Sequence, residues 1–131
     1  MAGYTSFKEL DCWKKCRSVK IWTHQFIRTL PRNEYDMKDN MRRAARSTSR
    51  NIAEGFGRFH FKENAQFCRI SRGSLYELLD DLDSCLIEQL CKEDDIREGI
   101  DKINQAIYSL NGYLNLINKS LVHIPQKRRN H

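Results

Sequence analysis

A regular apolar repeat in the last third of the chain constrains the fold more than any other feature. Isoleucine and leucine follow one another at alternating spacings of four and three, at Ile96, Ile100, Ile103, Ile107, Leu110, Leu114, Ile117 and Leu121. This is the heptad pattern of a helix that packs along its length against other helices at a shallow crossing angle. The repeat therefore predicts one long helix within a helical bundle.

Three further amphipathic segments precede this helix. Apolar residues recur at helical spacing over residues 7–30, 35–56 and 62–91, and we predict a helix for each. Pro31 ends the first, and Gly55 and Gly57 offer the second a left-handed exit. In the acidic connection over residues 92–95, Asp94 or Asp95 is the expected N-cap of the last helix.

Short connections between four amphipathic helices predict an all-α fold, an up-down-up-down four-helix bundle. We assign residues 1–124 to this bundle domain. Residues 125–131 have the composition of a disordered basic tail.

The composition fits a single cytoplasmic domain. The 131 residues have no apolar run long enough to span a membrane and no secretory signal at the start. The cysteines lack the spacing of a zinc site, so we expect reduced thiols packed in the core, no metal and no cofactor. Binding of a soft metal by Cys12 and Cys16, one helical turn apart, is the weaker alternative.

Positive and negative charges are separated along the chain, which has a net charge of +6. Residues 42–72 contain eight basic and two acidic side chains, whereas residues 73–101 contain two basic and ten acidic ones. Such a dipolar chain favours an anionic partner such as nucleic acid, or contact between the basic and acidic regions of two copies.

The second helix concentrates this positive charge. Arg42, Arg43, Arg46 and Arg50 lie opposite its apolar side, and we expect them to lack carboxylate partners on their own helix. Arginine binds phosphate through two parallel hydrogen bonds. We therefore predict nucleic-acid contacts at Arg42, Arg43, Arg46, Arg50, Arg69, Arg72, Lys127, Arg128 and Arg129. A solvated helix face is the alternative.

Polar residues on the second and third helices form another candidate cluster. Helical spacing brings together Asn51, Glu54, Arg58, Ser74 and Glu77. We favour a structural network that fixes the register of the two helices over a phosphate or carboxylate site. The histidines are scattered and no nucleophile has a neighbouring base, so we expect no catalytic residues and no enzyme.

Apolar residues on the outer sides of the first and last helices predict self-association. Leu10, Ile21, Trp22 and Leu116 project away from the predicted core, which favours a subunit interface. Gly99 and Gly112 interrupt the last helix, where they allow a neighbour to approach closely. Phe59 and Phe61 follow Arg58, and we favour packing in the hairpin over stacking on bases.

Two sequence blocks resemble a known family. The blocks NIAEGFGR, residues 51–58, and RGSLYEL, residues 72–78, closely resemble the four helix bundle proteins, also called 23S ribosomal RNA intervening-sequence proteins. That family is related to the accessory variability determinants of diversity-generating retroelements. The resemblance implies a bundle that assembles into a five-fold ring, with a basic surface that in the retroelement branch binds nucleic acid and a reverse transcriptase.

These observations predict a non-enzymatic, basic, oligomeric bundle. We expect it to bind RNA or DNA through phosphate contacts, as an accessory factor to a reverse transcriptase in a retroelement. The alternative is a protein-interaction scaffold whose basic edge contacts an acidic protein surface, with no nucleic-acid role.

Overall fold

Four α-helices make up the fold. The computed structural model describes the backbone of residues 3–123 and the side chains of residues 3–120. After a short 3-10 turn at Phe7–Glu9, α1 spans Asp11–Ile27, α2 Tyr35–Phe56, α3 Phe61–Ile87 and α4 Glu93–His123. Residues 3–123 contain no strand. The predicted all-α class is confirmed.

The helices pack in the order in which they follow along the chain. Each contacts the next one, and α4 also packs against α1, which closes the arrangement. This neighbour order is that of an up-and-down bundle. It gives α2 two neighbours, α1 and α3.

The heptad repeat of α4 supplies a large share of the core. Ile103, Leu110 and Ile117 are fully buried, and Ile96 and Leu114 nearly so. Leu121 lies beyond the side chains that the structure describes. The predicted apolar sides of α1 and α2 are also confirmed as part of the core, where Val19, Phe26, Met41, Ala45 and Ile52 are buried.

Most apolar residues of α3 lie in the core, as their spacing predicts, but not all of them do. Ile70 is 48% exposed, whereas Asn64, Ala65 and Cys68 are buried. Asn64 is held inside by polar partners, because it donates to Tyr113 Oη at 3.0 Å and accepts from Cys68 Sγ at 3.6 Å. A buried asparagine with partners on two helices is not recognisable from apolar spacing.

The cysteines pack as small apolar groups, as predicted. All five are free thiols, and Cys12, Cys16, Cys68 and Cys85 are buried. Burial raises the pKa of Cys16, Cys68 and Cys85 to about 12. These thiols are therefore protonated and unreactive at neutral pH.

Three predicted helix ends differ from the structure: both ends of α1, which ends at Ile27 rather than at residue 30, and the C-terminal end of α3. Leu10 has an extended backbone, so α1 begins at Asp11. The third helix ends at Ile87 because Gln89 adopts a left-handed conformation with φ of 60°, and the Leu90 amide bonds back to the Cys85 carbonyl at 2.8 Å. This is the Schellman arrangement, with glutamine where glycine is usual.

The predicted left-handed exit of α2 is wrong. Gly57 has a right-handed φ of −72°, and Gly55 lies within the helix. Gly55 is needed for packing, because a Cβ atom there would lie 2.6 Å from Asn64 Oδ1 and 3.0 Å from Phe67 Cβ. The N-cap assigned to α4 is also wrong: Asp95 lies inside the first turn and its carboxylate accepts from the Lys92 amide at 2.9 Å.

Two residues predicted to be exposed lie inside the bundle. Trp22 is only 9% exposed, because its ring rests on Gly99 of α4 and stacks on Phe26 at 4.9 Å. Leu10 is 2% exposed, since the extended backbone before α1 turns its side chain inward rather than along the helix face. Leu10 and Trp22 are therefore not part of an exposed apolar surface.

Hydropathy along the helices of residues 3–123 gives no candidate membrane span; none combines the required length with a sufficiently apolar composition.

The contact between Gly99 and Trp22 generates a stability prediction. A Cβ atom at position 99 would lie 2.3 to 2.5 Å from the indole ring, so Gly99→Ala must displace Trp22. We expect the free energy of unfolding to fall by about 1–3 kcal/mol, the usual cost of overpacking. Urea unfolding followed by circular dichroism measures it.

Gly73→Ala is the control for this substitution. Gly73 lies within α3, and nothing comes within 4 Å of the position of an added Cβ. Alanine there should stabilise the helix by about 0.5–1 kcal/mol. Equal effects of the two alanines would contradict the close α1–α4 packing.

Candidate nucleic-acid interface

The arginines of α2 lie across the side of the helix opposite its buried residues, between the neighbouring helices α1 and α3. Arg42 and Arg46 lie on the side of α1, whereas Arg43 and Arg50 line a groove between α2 and α3. The four side chains therefore have different electrostatic surroundings.

On the α1 side, two rows of polar and basic residues face each other. Lys20 donates from Nζ to Ser49 Oγ at 3.0 Å, which shows how the two helices are aligned. Consecutive helices of an up-and-down bundle run in opposite directions. One turn after Lys20 on α1 therefore faces one turn before Ser49 on α2, which brings His24 beside Arg46. One more turn brings Arg28 beside Arg42.

We call this surface the basic edge; it consists of Lys20, His24, Arg28, Arg42 and Arg46. His24 is half-buried within it. Burial lowers the pKa of His24, and the neighbouring charges of Arg46, Arg42, Lys20 and Arg28 lower it further. The pKa falls because protonation would place a further positive charge on His24 among existing cations. The surface thus combines four permanent positive charges with a histidine.

One carboxylate lies close to a cation of the basic edge. Arg42 Nη1 donates to Asp39 Oδ1 at 2.9 Å, one helical turn away on α2. The prediction that these arginines lack carboxylates on their own helix is therefore wrong for Arg42. Among residues 3–120, no ion pair within 4 Å involves Lys20, Arg28 or Arg46.

On the α3 side, the arginines meet acidic residues. The mixed-charge groove between α2 and α3 is lined by Asn40, Arg43, Ala44, Ser47, Arg50, Ser74, Glu77, Asp80 and Asp81. Arg43 donates to Asn40 Oδ1 at 2.6 Å. In the described side chains no ion pair within 4 Å crosses this groove, but three carboxylates on the α3 wall weaken its attraction for an anion.

Asp81 is the most perturbed carboxyl group of the groove. Partial burial, together with the nearby negative charges of Asp80 and Glu77, raises its pKa to about 6. Ionisation of Asp81 therefore costs free energy in the folded protein, so the negative charge on this wall of the groove is unfavourable for stability.

The remaining predicted nucleic-acid residues lie elsewhere. Arg72 is half-buried and donates to Asn111 Oδ1 at 2.8 Å, so it ties α3 to α4. Arg69 is exposed on α3, which packs against α2 and α4. Neither residue adjoins the basic edge. Lys127, Arg128, Arg129 and the rest of the predicted tail lie outside the described residues.

The polar network predicted between α2 and α3 is smaller than expected. Ser74 donates to Ser47 Oγ at 2.7 Å, and Asn51 donates to the same oxygen at 2.8 Å. Ser71 extends this contact by donating to the Thr48 carbonyl at 2.6 Å. These bonds join the two helices along their buried sides.

Glu54, Arg58 and Glu77 do not belong to that network. Arg58 lies at the end of α2, 3.6 Å from Glu54 and 3.8 Å from Glu63, with each side chain about half exposed. Its guanidinium also covers the Phe67 ring at 5.1 Å. Glu77 instead lines the mixed-charge groove.

The two phenylalanines after Arg58 differ in their surroundings. Phe61 packs against the core, as predicted. Phe59 does not pack in the hairpin, since it is 99% exposed. Hairpin packing is therefore wrong for Phe59.

On the α1 and α4 side, the exposed apolar residues are fewer than predicted. Ile21 is 41% exposed and Leu116 is 46% exposed. Sequence reasoning missed Tyr108, which is 84% exposed on α4. It lies beside the hydrogen bond that Ser109 Oγ donates to Asp11 Oδ2 at 2.6 Å.

The chain matches the sequence model of one protein family over most of its length. The model of the 23S rRNA-intervening sequence protein family matches residues 8–112, which include most of the four helices. The chain belongs to this family, so the resemblance seen in its sequence blocks is confirmed. No curated protein matches the chain significantly.

The two family-like blocks meet in the folded chain. NIAEGFGR forms the end of α2, and RGSLYEL forms the middle of α3. Asn51 and Ser74 both donate hydrogen bonds to Ser47 Oγ. Gly55 permits the close approach of Asn64. These residues therefore serve the packing of α2 on α3.

The titration of Asp81 makes the stability of the folded protein depend on pH. Its folded pKa of about 6 lies above the ordinary value of 3.8, so the folded state loses stability as the pH rises from about 4 to 6. Asp81→Asn should raise the free energy of unfolding at pH 7.5, by about 1 kcal/mol after allowance for solvent screening. Denaturation at pH 4 and 7.5 measures this.

At pH 4 the advantage of the asparagine should vanish, since Asp81 is then protonated in the folded protein. Asp83→Asn is the control, because Asp83 is exposed on the same helix. A stabilisation by D81N that is equal at both pH values would contradict the unfavourable charge at Asp81.

Proposed function

We propose that this protein is a non-enzymatic nucleic-acid-binding bundle that contacts phosphate groups through the basic edge. The observation that carries the proposal is the surplus of positive charge between α1 and α2. Lys20, Arg28, Arg42 and Arg46 converge there with His24, and one carboxylate, that of Asp39, pairs with Arg42. The family description, which refers to ribosomal RNA, supports RNA as a ligand.

Binding of this kind depends on phosphate rather than on sequence. Arginine forks match phosphate oxygens, and lysine adds a point charge. Each phosphate that a cation contacts releases counterions, so affinity falls steeply with salt. The cations of the basic edge follow a row along two helices, which favours recognition of the nucleic-acid backbone.

The proposal includes assembly into a ring of five copies. The family resemblance supports five-fold symmetry, and exposed Ile21 and Leu116 on α1 and α4 offer apolar contacts on a side away from the α2–α3 groove. A ring repeats the basic edge, so that weak contacts with one long RNA add up through a high effective concentration. Mass measurement by light scattering tests the ring.

We further propose that the ring acts beside a reverse transcriptase, as an accessory protein of a retroelement located in the cytoplasm. The relation of the family to retroelement accessory proteins supports this role. A gene for a reverse transcriptase next to the gene for this chain is the expected finding, and a position inside a ribosomal RNA gene with no such neighbour would count against it.

A protein scaffold is the second candidate function. The mixed-charge groove favours it, because Arg43 and Arg50 line the same groove as Glu77, Asp80 and Asp81 within one chain. The same pairing of a basic with an acidic surface is available between copies. In that case the arginines serve assembly, and RNA has no role.

The basic edge makes a direct prediction for RNA binding. Arg28→Gln/Arg46→Gln removes two cations without touching the ion pair of Arg42. We expect weaker binding of a labelled structured RNA, and a slope of log affinity against log salt that becomes shallower by about 0.7–0.9 for each phosphate that the variant no longer neutralises. Fluorescence anisotropy at several salt concentrations measures both.

The matched control is Lys8→Gln/Arg97→Gln, which removes the same net charge from two exposed residues away from the basic edge. It should leave the slope near the wild-type value. No RNA binding by the wild-type protein at low salt, or equally weakened binding in both variants, would overturn the proposal. Dissociation of the oligomer by R28Q/R46Q would instead favour the scaffold.

A further inference from the structure

His24 is the one member of the basic edge whose side chain normally changes charge near neutral pH. It lies between Lys20 and Arg28 on α1, with Arg42 and Arg46 facing it from α2. Asp39 lies behind Arg42 as its ion-pair partner. The charged groups around the imidazole are thus four cations and one carboxylate that is already engaged.

A hydrogen bond between α1 and α2 shows how the residues of the edge are aligned. Lys20 is tied to Ser49 at 3.0 Å, and the side chains at positions 20, 24 and 28 follow one line along α1. Arg42, Arg46 and Ser49 follow the facing line of α2. His24 therefore lies at the centre of a short row of donors contributed by two helices, and it is partly sheltered from solvent.

We propose that His24, Arg42 and Arg46 form a phosphate-binding site in the basic edge, and that His24 takes up a proton when a phosphate group binds there. This inference rests on the proposed nucleic-acid function and identifies its central contact. In the bound state the imidazolium donates a charge-assisted hydrogen bond to a phosphate oxygen.

The electrostatics of the free site explain why proton uptake accompanies binding. Without an anion, burial and the surrounding cations keep the pKa of His24 below its ordinary value of 6.5. A phosphate in the row brings negative charge within contact distance, which stabilises the imidazolium and raises the pKa. Lysine and arginine keep their charge over the same pH range, so the linked proton belongs to His24.

Linkage fixes the direction of the pH effect. If phosphate raises the pKa of His24, then protonation of His24 must strengthen phosphate binding by the same factor. Affinity is greatest below the pKa of the free protein, and the gain is lost as the pH rises through the higher pKa of the complex. One unit of difference between the two pKa values corresponds to about a tenfold change in affinity.

The test follows the imidazole directly. Histidine ring resonances are recorded by NMR between pH 5 and 8 for the protein alone, with the structured RNA, and with inorganic sulfate, a phosphate-like anion of constant charge in this range. The His24 resonance is identified by its absence in His24→Gln. We expect both ligands to raise the pKa of His24, by at least one unit for RNA.

His60→Gln is the matched control, because His60 is exposed at the start of α3 and outside the basic edge. RNA affinity of H24Q should be independent of pH between 5.5 and 8, whereas H60Q should keep the wild-type pH dependence. Circular dichroism of each variant verifies that the bundle is folded.

The outcomes separate this inference from the proposed function. RNA binding that weakens in R28Q/R46Q, with an unchanged His24 titration, would overturn the inference and leave the function standing. A sulfate-induced rise in the pKa of His24 without RNA binding would support the site and overturn the function. No RNA binding, together with no sulfate-induced change in the pKa of His24, would overturn both.

Discussion

The close packing of α2 between α1 and α3 is the constraint on which the rest of the structure depends. The buried side of α2 is made mostly of small residues, Ala44, Ala45, Thr48 and Ser49, so both neighbouring helices approach its backbone closely. The Ser71 hydroxyl reaches the Thr48 carbonyl itself. The solvent-facing side of α2 borders α1 on one side and α3 on the other, so arginines near each border lie beside the side chains of a different neighbour. The separation of the basic edge from the mixed-charge groove follows from this packing.

Much of the fold could be predicted because its signals are local. The heptad repeat of α4 and the spacing of apolar residues in α1 and α2 identify most of the buried residues of these helices, and α2 begins and ends where predicted. The failures arise where a distant contact decides the outcome. Trp22 is buried because Gly99 leaves room for it on another helix, and Gly55 is present for Asn64 rather than for a turn. Gln89 in a left-handed conformation gives no signal in the sequence.

The candidate site was harder to predict for the same reason. The charge of α2 is evident from its sequence, but the residues that face each arginine come from other helices. Lys20, His24 and Arg28 were not recognised because, on α1 alone, they form an ordinary polar face. Only the packing of α1 on α2, with Lys20 aligned with Ser49, brings them beside Arg42 and Arg46. Glu77, in turn, was assigned to a network on spacing, although its surroundings are those of the groove.

The free cysteines in the interior have a consequence for the lifetime of the protein. Cys12, Cys16, Cys68 and Cys85 come from α1 and α3, so the native bundle hides thiols from helices that are distant in sequence. Once the helices separate, oxidants reach these sulfur atoms and can link them in combinations that block refolding. In an oxidising medium, each opening of the bundle therefore risks irreversible loss, and the rate of opening sets the survival time of the molecule.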